Sequence, residues 1–208
     1  MTGIIDYDAG NLRSVEKALQ ALGEEALITR DRETILAADR VILPGVGSFG
    51  DAMERLRHYG LVEVIRQAAG QGTPFLGICL GLQLLFEGSE ESPGVEGLGL
   101  FKGEILRIPD KAGMKVPHMG WNRLEIKPGT RLFAGIGNGA YVYFVHSYYL
   151  KAKEEGQVAA STEYTTHIHA AVEQGNIAAC QFHPEKSGSV GLAILKNFIT
   201  WYQGQNTF

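Results

Sequence analysis

The sequence predicts an α/β fold: a single domain with a mostly parallel central sheet flanked by helices and a smaller antiparallel sheet in the second half. Three observations lead to this architecture. Up to about residue 86, short apolar runs alternate with helical stretches of roughly 8–14 residues, the pattern of βαβ units. Beyond about residue 101, β-type runs follow one another across short turns. No repeat, low-complexity tract or linker divides the 208 residues, so 1–208 reads as one domain. A chain of that size hides roughly 70 % of its unfolded surface and needs no covalent staple.

The elements follow in order. Residues 3–7 (GIIDY) form a first short strand. Asn11 is placed to cap a helix carrying Leu12, Val15, Leu19 and Leu22 on one face, which Gly23 stops. Runs 26–29 and 40–43 are buried strands with a short helix from Asp31 between them. Helices over 48–58 and 61–69 lead to a strand over 74–79 and a helix over 80–86. The stretch 87–100 (EGSEESPGVEGLGL) is a glycine-rich loop, its acidic patch 87–91 expected to be solvated. Strands are then expected over 101–108, 121–126, 140–149, 157–161, 168–173 and 176–182, the last two joined by a Gly175-Asn176 hairpin turn. A closing helix over 190–202 puts Leu192, Leu195, Ile199 and Tyr202 on one face.

Composition removes several function classes. With 19 Lys+Arg against 23 Asp+Glu and no basic run, nucleic acid is not the expected ligand. The longest apolar stretch, 74–86, has 13 residues, short of the ~20 that span a bilayer. The N-terminus MTGIIDYDAG carries no basic region ahead of an apolar one, so no signal peptide is expected and the location is taken as cytoplasmic. Two Cys, 79 and 180, cannot build a disulfide framework. The 27 Gly exceed the usual ~7 % and imply many special backbone positions.

Residues 77–81, Gly-Ile-Cys-Leu-Gly, have the G-x-nucleophile-x-G form between an apolar strand and an apolar helix. Such an elbow forces the middle residue into strained geometry with its side chain outward, and the glycines keep the turn free of Cβ clashes. A helix start directly behind a thiol favours the thiolate and offers N–H groups to an oxyanion. Catalysis then needs a base, and His183-Pro184-Glu185 supplies one with its orienter. Residues i and i+2 of an extended chain point the same way, and the proline keeps His183 extended.

Other features carry less. Residues 45–50 satisfy G-x-G-x-x-G after a strand, which suggests a dinucleotide site, but the next strand ends at Cys79 without the acidic residue a ribose requires. His167 and His169 share a strand face without a third ligand nearby, so no metal is expected and they read as a solvated pair on an edge strand. Cys180, in an apolar run without an elbow, reads as a core thiol. The aromatic run Tyr141, Tyr143, Tyr148 and Tyr149 reads mostly as strand packing.

GICLGLQ (77–83) and QFHPEKS (181–187) resemble the two signatures of the class I glutamine amidotransferases, which carry a Cys–His–Glu triad. The resemblance implies that the α/β domain is class I glutamine amidotransferase-like. More narrowly, IIDYDAGNLRSV, LPGVGSFGDAM, VPHMGWN, YFVHSY and the Lys186 of FHPEKS resemble the glutaminase subunits of imidazole glycerol phosphate synthases. A set of roles is implied as well. Cys79 is the nucleophile, His183 the general acid/base and Glu185 its orienter. The N–H groups of the Val46-Gly47 loop and of Leu80 form the oxyanion hole. Gln83, His146, Ser147 and Tyr148 grip glutamine. Asn11, Trp121, Tyr143 and Lys186 face a (β/α)₈ cyclase partner that receives ammonia in a heterodimer. No cofactor is implied. With sheet, triad and glutamine pocket placed, no segment remains for an ammonia acceptor, which also points to a partner. The 45–47 loop, whose peptides can flip, predicts slow glutamine hydrolysis by the isolated chain.

Overall fold

The protein was characterised as a computed structural model, in which residues 1–201 are described; Tyr202, expected on the last helical face, lies outside them. The first half alternates β1 (Thr2–Ile5), α1 (Leu12–Ala21), β2 (Ala26–Thr29), α2 (Arg32–Ala37), β3 (Arg40–Gly45), α3 (Phe49–His58), α4 (Leu61–Gly70), β4 (Phe75–Cys79) and α5 (Leu80–Leu84). The second half holds β5 (Gly103–Arg107), β6 (His118–Arg123), β7 (Glu125–Ile126), β8 (Tyr141–His146), β9 (Tyr148–Ala152), β10 (Val158–Glu163), β11 (His167–Gln174), β12 (Ile177–Cys180) and α6 (Gly188–Thr200).

Strands β2-β1-β3-β4-β12 are parallel neighbours. Strand β11 then turns antiparallel to β12, β10 pairs with β11 and β7 with β10, while β9 links β11 to β5. The parallel and antiparallel halves are thus one ten-stranded sheet. The separate antiparallel sheet has only two strands, β6 and β8.

Period-2 alternation sends neighbouring strand residues into two cores. Ile5, Val41, Leu43 and Phe75 pack with Ile35, Phe49, Leu56 and Ile65 from α2, α3 and α4. Ile4, Ile42, Leu76 and Ile78 pack on the other face with Val15 and Leu19 of α1 and Ile194, Leu195 and Phe198 of α6. Burial on both faces explains why these strands read as unbroken apolar runs. Asp31 caps α2 by accepting from the Thr34 N–H at 2.8 Å, and Ser48 caps α3 through the Asp51 N–H at 3.3 Å. The hairpin turn at Gly175-Asn176 is present, with Gly175 at φ 59° joining the Gln174–Ile177 pair.

Two expected strands are each divided. The 121–126 run splits at the buried Leu124 into β6 and β7, and the 140–149 run splits at Ser147 into β8 and β9. In both, the chain leaves the two-stranded sheet and joins the main one, a long-range choice that local alternation does not encode. The His167/His169 strand is internal: β11 pairs with β10, β12 and β9, and His169 is 7 % exposed. Its Nδ1 accepts the Ala152 N–H at 3.0 Å, the contact of a core histidine. Among the described residues no cluster of metal-ligating side chains occurs and no helix is long and apolar enough to cross a membrane.

Candidate active site

Strand β4 ends at Cys79 and α5 starts at the next residue, so the strand-to-helix elbow forms where the glycine pattern places it. Cys79 sits at φ 55°, ψ −111°, a conformation costly for a residue with a Cβ. The flanking glycines make the turn sterically possible. A Cβ on Gly81 would lie 1.9 Å from the Leu43 carbonyl oxygen, and one on Gly77 would lie 2.9 Å from the Gly81 oxygen.

The β12 strand lies beside β4 in parallel register, Ala179 opposite Gly77 and Cys180 opposite Ile78. The chain leaving β12 therefore carries His183 to the cavity that Cys79 lines. His183 Nδ1 and Glu185 Oε1 are 2.7 Å apart, with both side chains almost wholly buried at 1 % and 0 % exposure. The Pro184–Lys186 segment is a single turn of 3₁₀ helix rather than extended chain. His183 itself is extended, as its proline requires, but the tight turn brings Glu185 back to the ring. The His183 Nε2 is buried without a hydrogen-bond partner and lines the same cavity as Cys79. Burial works against the charged imidazole, but Cys79 and Glu185 outweigh it and raise the His183 pKa to about 9.

Asn11 does stand at the start of α1, yet it does not cap the helix with its side chain. It adopts φ 73° and donates its Nδ2–H to Glu185 Oε1. Glu185 is thereby held from two sides, by His183 and by Asn11.

The cavity, about 300 Å³, is lined by Val46, Gly47, Cys79, Leu80, Gln83, Glu91, Pro117, Val145, His146, Ser147, Tyr148 and His183. All expected oxyanion and substrate residues therefore meet at one place. Gln83 spends its Nε2–H groups on the Tyr148 carbonyl and on Gln181 Oε1, both at 3.1 Å, which leaves its Oε1 for the cavity. His146 has both ring nitrogens engaged inside the protein: Nδ1 lies 2.8 Å from the Tyr148 oxygen and Nε2 lies 3.0 Å from His118 Nδ1. Its part in the cavity wall is shape, not a free hydrogen bond. Desolvation lowers His146 to about 3 and His118 to about 4, so both are neutral.

Three residues were not singled out by sequence reasoning. Glu91, expected to be solvated with its acidic neighbours, lines the cavity and accepts the Phe49 N–H at the start of α3 at 2.8 Å. Its neighbour Glu90 likewise accepts the Arg107 N–H at 2.8 Å. His118 is buried behind His146, and Gln181 is wholly buried between Gln83 and Cys79. A glutamine inside the apolar run ending at Phe182 was the available signal, since a buried amide requires partners.

The four expected interface residues fall in two groups, each joined to the 183–186 segment. Trp121 faces Tyr143 across β6 and β8 with ring centroids 6.0 Å apart. The Tyr143 carbonyl accepts the His183 N–H at 2.9 Å, and Lys186 ends the turn that holds Glu185 and its partner Asn11. Cys180, fully buried, is a core thiol whose sulfur lies 3.5 Å from the Phe182 oxygen.

A model of the family described as glutamine amidotransferase class-I matches residues 3–201. The chain belongs to this family. Among curated relatives of this amidotransferase is the imidazole glycerol phosphate synthase subunit HisH of Caldanaerobacter subterraneus subsp. tengcongensis, 54 % identical, with 95 % of this chain and 97 % of the relative covered. The protein of the same name from Methanocaldococcus jannaschii is 49 % identical, with 96 % and 98 % covered. A crystal structure titled glutamine amidotransferase shares the fold at a TM-score of 0.74, with 24 % identity over 95 % of this chain and 96 % of the other. A structure of PurLQS from Thermotoga maritima shares it at 0.72, with 22 % identity over 96 % and 97 %. The amidotransferase is an enzyme whose family fold matches the α/β architecture described above.

Proposed function

We propose that the protein is the glutaminase subunit of an imidazole glycerol phosphate synthase, working in histidine biosynthesis with a (β/α)₈ cyclase subunit. Curated relatives about half identical over nearly the whole chain carry this reading of the synthase. The buried, unpartnered His183 Nε2 beside the Cys79 cavity supports the chemistry.

The steps follow from the residues. Cys79 and His183 share one proton, and with it held on His183 Nε2 the sulfur is a thiolate that attacks the side-chain amide carbon of glutamine. The N–H groups of Leu80 and of the Val46-Gly47 loop receive the negative oxygen that forms, an interaction whose loss typically costs roughly 3 kcal/mol of barrier. His183 returns the proton to the departing nitrogen, and the C–N bond breaks to give ammonia and a thioester. Water then attacks the thioester with His183 as base, releasing glutamate and restoring the thiol. Glu185 holds the imidazole in place throughout. Gln83 Oε1 and Glu91 supply acceptors for the substrate's α-ammonium group, with Ser147 and Tyr148 completing the pocket. Ammonia protonates rapidly in water, so it passes to the acceptor across the face bearing Asn11, Trp121, Tyr143 and Lys186.

The test is a Cys79→Ala chain combined with the cyclase. Glutamine-dependent product formation should fall by at least about a thousandfold, as expected when a nucleophile is removed, while turnover with added ammonium salt persists. If the ammonium-dependent reaction disappears as well, Cys79 is structural rather than the nucleophile. If no cyclase pairs productively with the wild-type chain, the synthase assignment fails while the glutaminase assignment stands.

A further inference from the structure

Three polar groups are linked behind the Cys79 sulfur: the Tyr148 carbonyl and the side-chain amides of Gln83 and Gln181. The Tyr148 carbonyl can only accept, and it receives Gln83 Nε2 at 3.1 Å. That pins the Gln83 amide: its nitrogen faces inward, and it also donates to Gln181 Oε1 at 3.1 Å. The Gln181 amide is pinned in turn. With its oxygen occupied by Gln83, its Nε2 must point the other way, where the Cys79 sulfur lies 3.8 Å away. One backbone carbonyl thus sets the polarity of two side-chain amides and aims an N–H at the reacting sulfur.

Gln181 is 0 % exposed, so water cannot satisfy that N–H. A neutral thiol is a poor acceptor and leaves a buried donor close to unsatisfied. A thiolate accepts a charge-assisted hydrogen bond, roughly twice as strong as a neutral one. The thiol's own alternative is weak, because its contact with the Val145 carbonyl spans 4.0 Å. The donor therefore discriminates between the two states of the sulfur. When the Cys79 S–H bond breaks and the proton moves to His183 Nε2, the thiolate gains Gln181 on one side and the imidazolium on the other.

We propose that Gln181 is a further catalytic residue, donating its Nε2–H to the Cys79 thiolate in a direction enforced by the Tyr148–Gln83–Gln181 relay. The proposal rests on the glutaminase reading for its purpose, since it ties the residue that grips the substrate to the atom that attacks it. Filling the Gln83 site with glutamine would tighten the same relay and orient the sulfur.

Gln181→Met keeps the volume and removes both the donor and the acceptor, while Gln181→Glu keeps an acceptor for Gln83 and places an anion at the sulfur. Alkylation of Cys79 by iodoacetamide, followed by peptide mapping to separate it from Cys180, reads the thiolate without any glutamine. At pH 7 the rate should fall about tenfold in Gln181→Met, the size expected for a lost hydrogen bond to a charged group, and further in Gln181→Glu. At pH 10 Gln181→Met should react as fast as the wild type, an equality that general damage to the site would not give. In the wild type, the side-chain N–H resonance of Gln181 should move with pH over the range in which the alkylation rate rises, a measurement that needs no variant. Unchanged alkylation at pH 7 in folded Gln181→Met, or a Gln181 resonance that ignores pH in the wild type, overturns the proposal. Glutamate release by the wild-type chain with its cyclase is scored separately, so a failed glutaminase reading is distinguishable from a failed role for Gln181.

Discussion

At the scale of single residues, the site is a set of side chains held from behind. Glu185 orients His183, and Asn11, 174 positions away in the chain, holds Glu185. Asn11 also tolerates the positive φ at the start of α1, which makes it suitable in two respects. Asn11→Gly keeps the backbone conformation and removes the donor. Because a hydrogen bond to a charged group contributes roughly 1.5–3 kcal/mol, kcat/KM for glutamine should drop about tenfold or more, and Tm should fall by several degrees. Equal kcat/KM in the two proteins would show that Glu185 is held by His183 alone. The meeting of Cys79, His183 and Glu185 was legible in the sequence because they lie inside two short motifs with a mechanical reason for each position. The Asn11–Glu185 and Gln181–Cys79 contacts were not, since each joins segments more than a hundred residues apart.

At the scale of elements, the elbow depends on how closely α5 approaches β3. Substituting Gly81→Ala drives a Cβ into the Leu43 carbonyl at 1.9 Å, with rigid backbone on both sides. Overpacking of this kind costs roughly 3 kcal/mol or more, and the variant should show a lowered denaturant midpoint or fail to accumulate. A neutral result would mean that α5 moves off the sheet freely. Gly47 differs: its φ is 100° and nothing lies within 4 Å of where a Cβ would stand, so its requirement is conformational, in a loop expected to bear oxyanion donors. Element order and type were readable from the apolar periodicity, whereas the cap expected at Asn11 is not made by its side chain. The breaks at Leu124 and Ser147 were not, because the strand residues keep alternating while their partners change from one sheet to the other.

At the scale of the whole molecule, four buried imidazoles shape the pH dependence of stability, and burial lowers His169 in the same direction as the His118–His146 pair. His118 and His146 are lowered to about 4 and 3, so each is neutral in the native protein and takes up a proton on unfolding below its ordinary value near 6.5. Their contribution is complete above pH ~6.5 and is lost as the pH falls toward their native values. His183, raised to about 9, acts oppositely: its contribution is complete below pH ~6.5 and is lost as the pH rises through 9. Denaturant midpoints should therefore decline on both sides of about pH 6.5, with up to ~2 protons taken up on unfolding by the His118–His146 pair on the acid side. A midpoint that is flat from pH 7 to pH 5 would contradict the neutral, buried state of the pair.

Cys79 and His183, the proposed nucleophile and base, stand at the ends of β4 and β12, two parallel strands that lie side by side although the chain travels through the antiparallel half between them. Their separation is therefore metered by sheet spacing, about 4.8 Å between neighbours, and by the exact pairing of Ala179 with Gly77. A slip of one residue would carry His183 along the strand by about 3.3 Å and turn the side chains of β12 to the opposite face. A misregistered chain could still be compact and rich in β structure, yet it could not acylate its thiol. Glutamine turnover is thus a gauge of strand alignment, able to count correctly assembled molecules in a refolded preparation that spectroscopy would score as uniformly native.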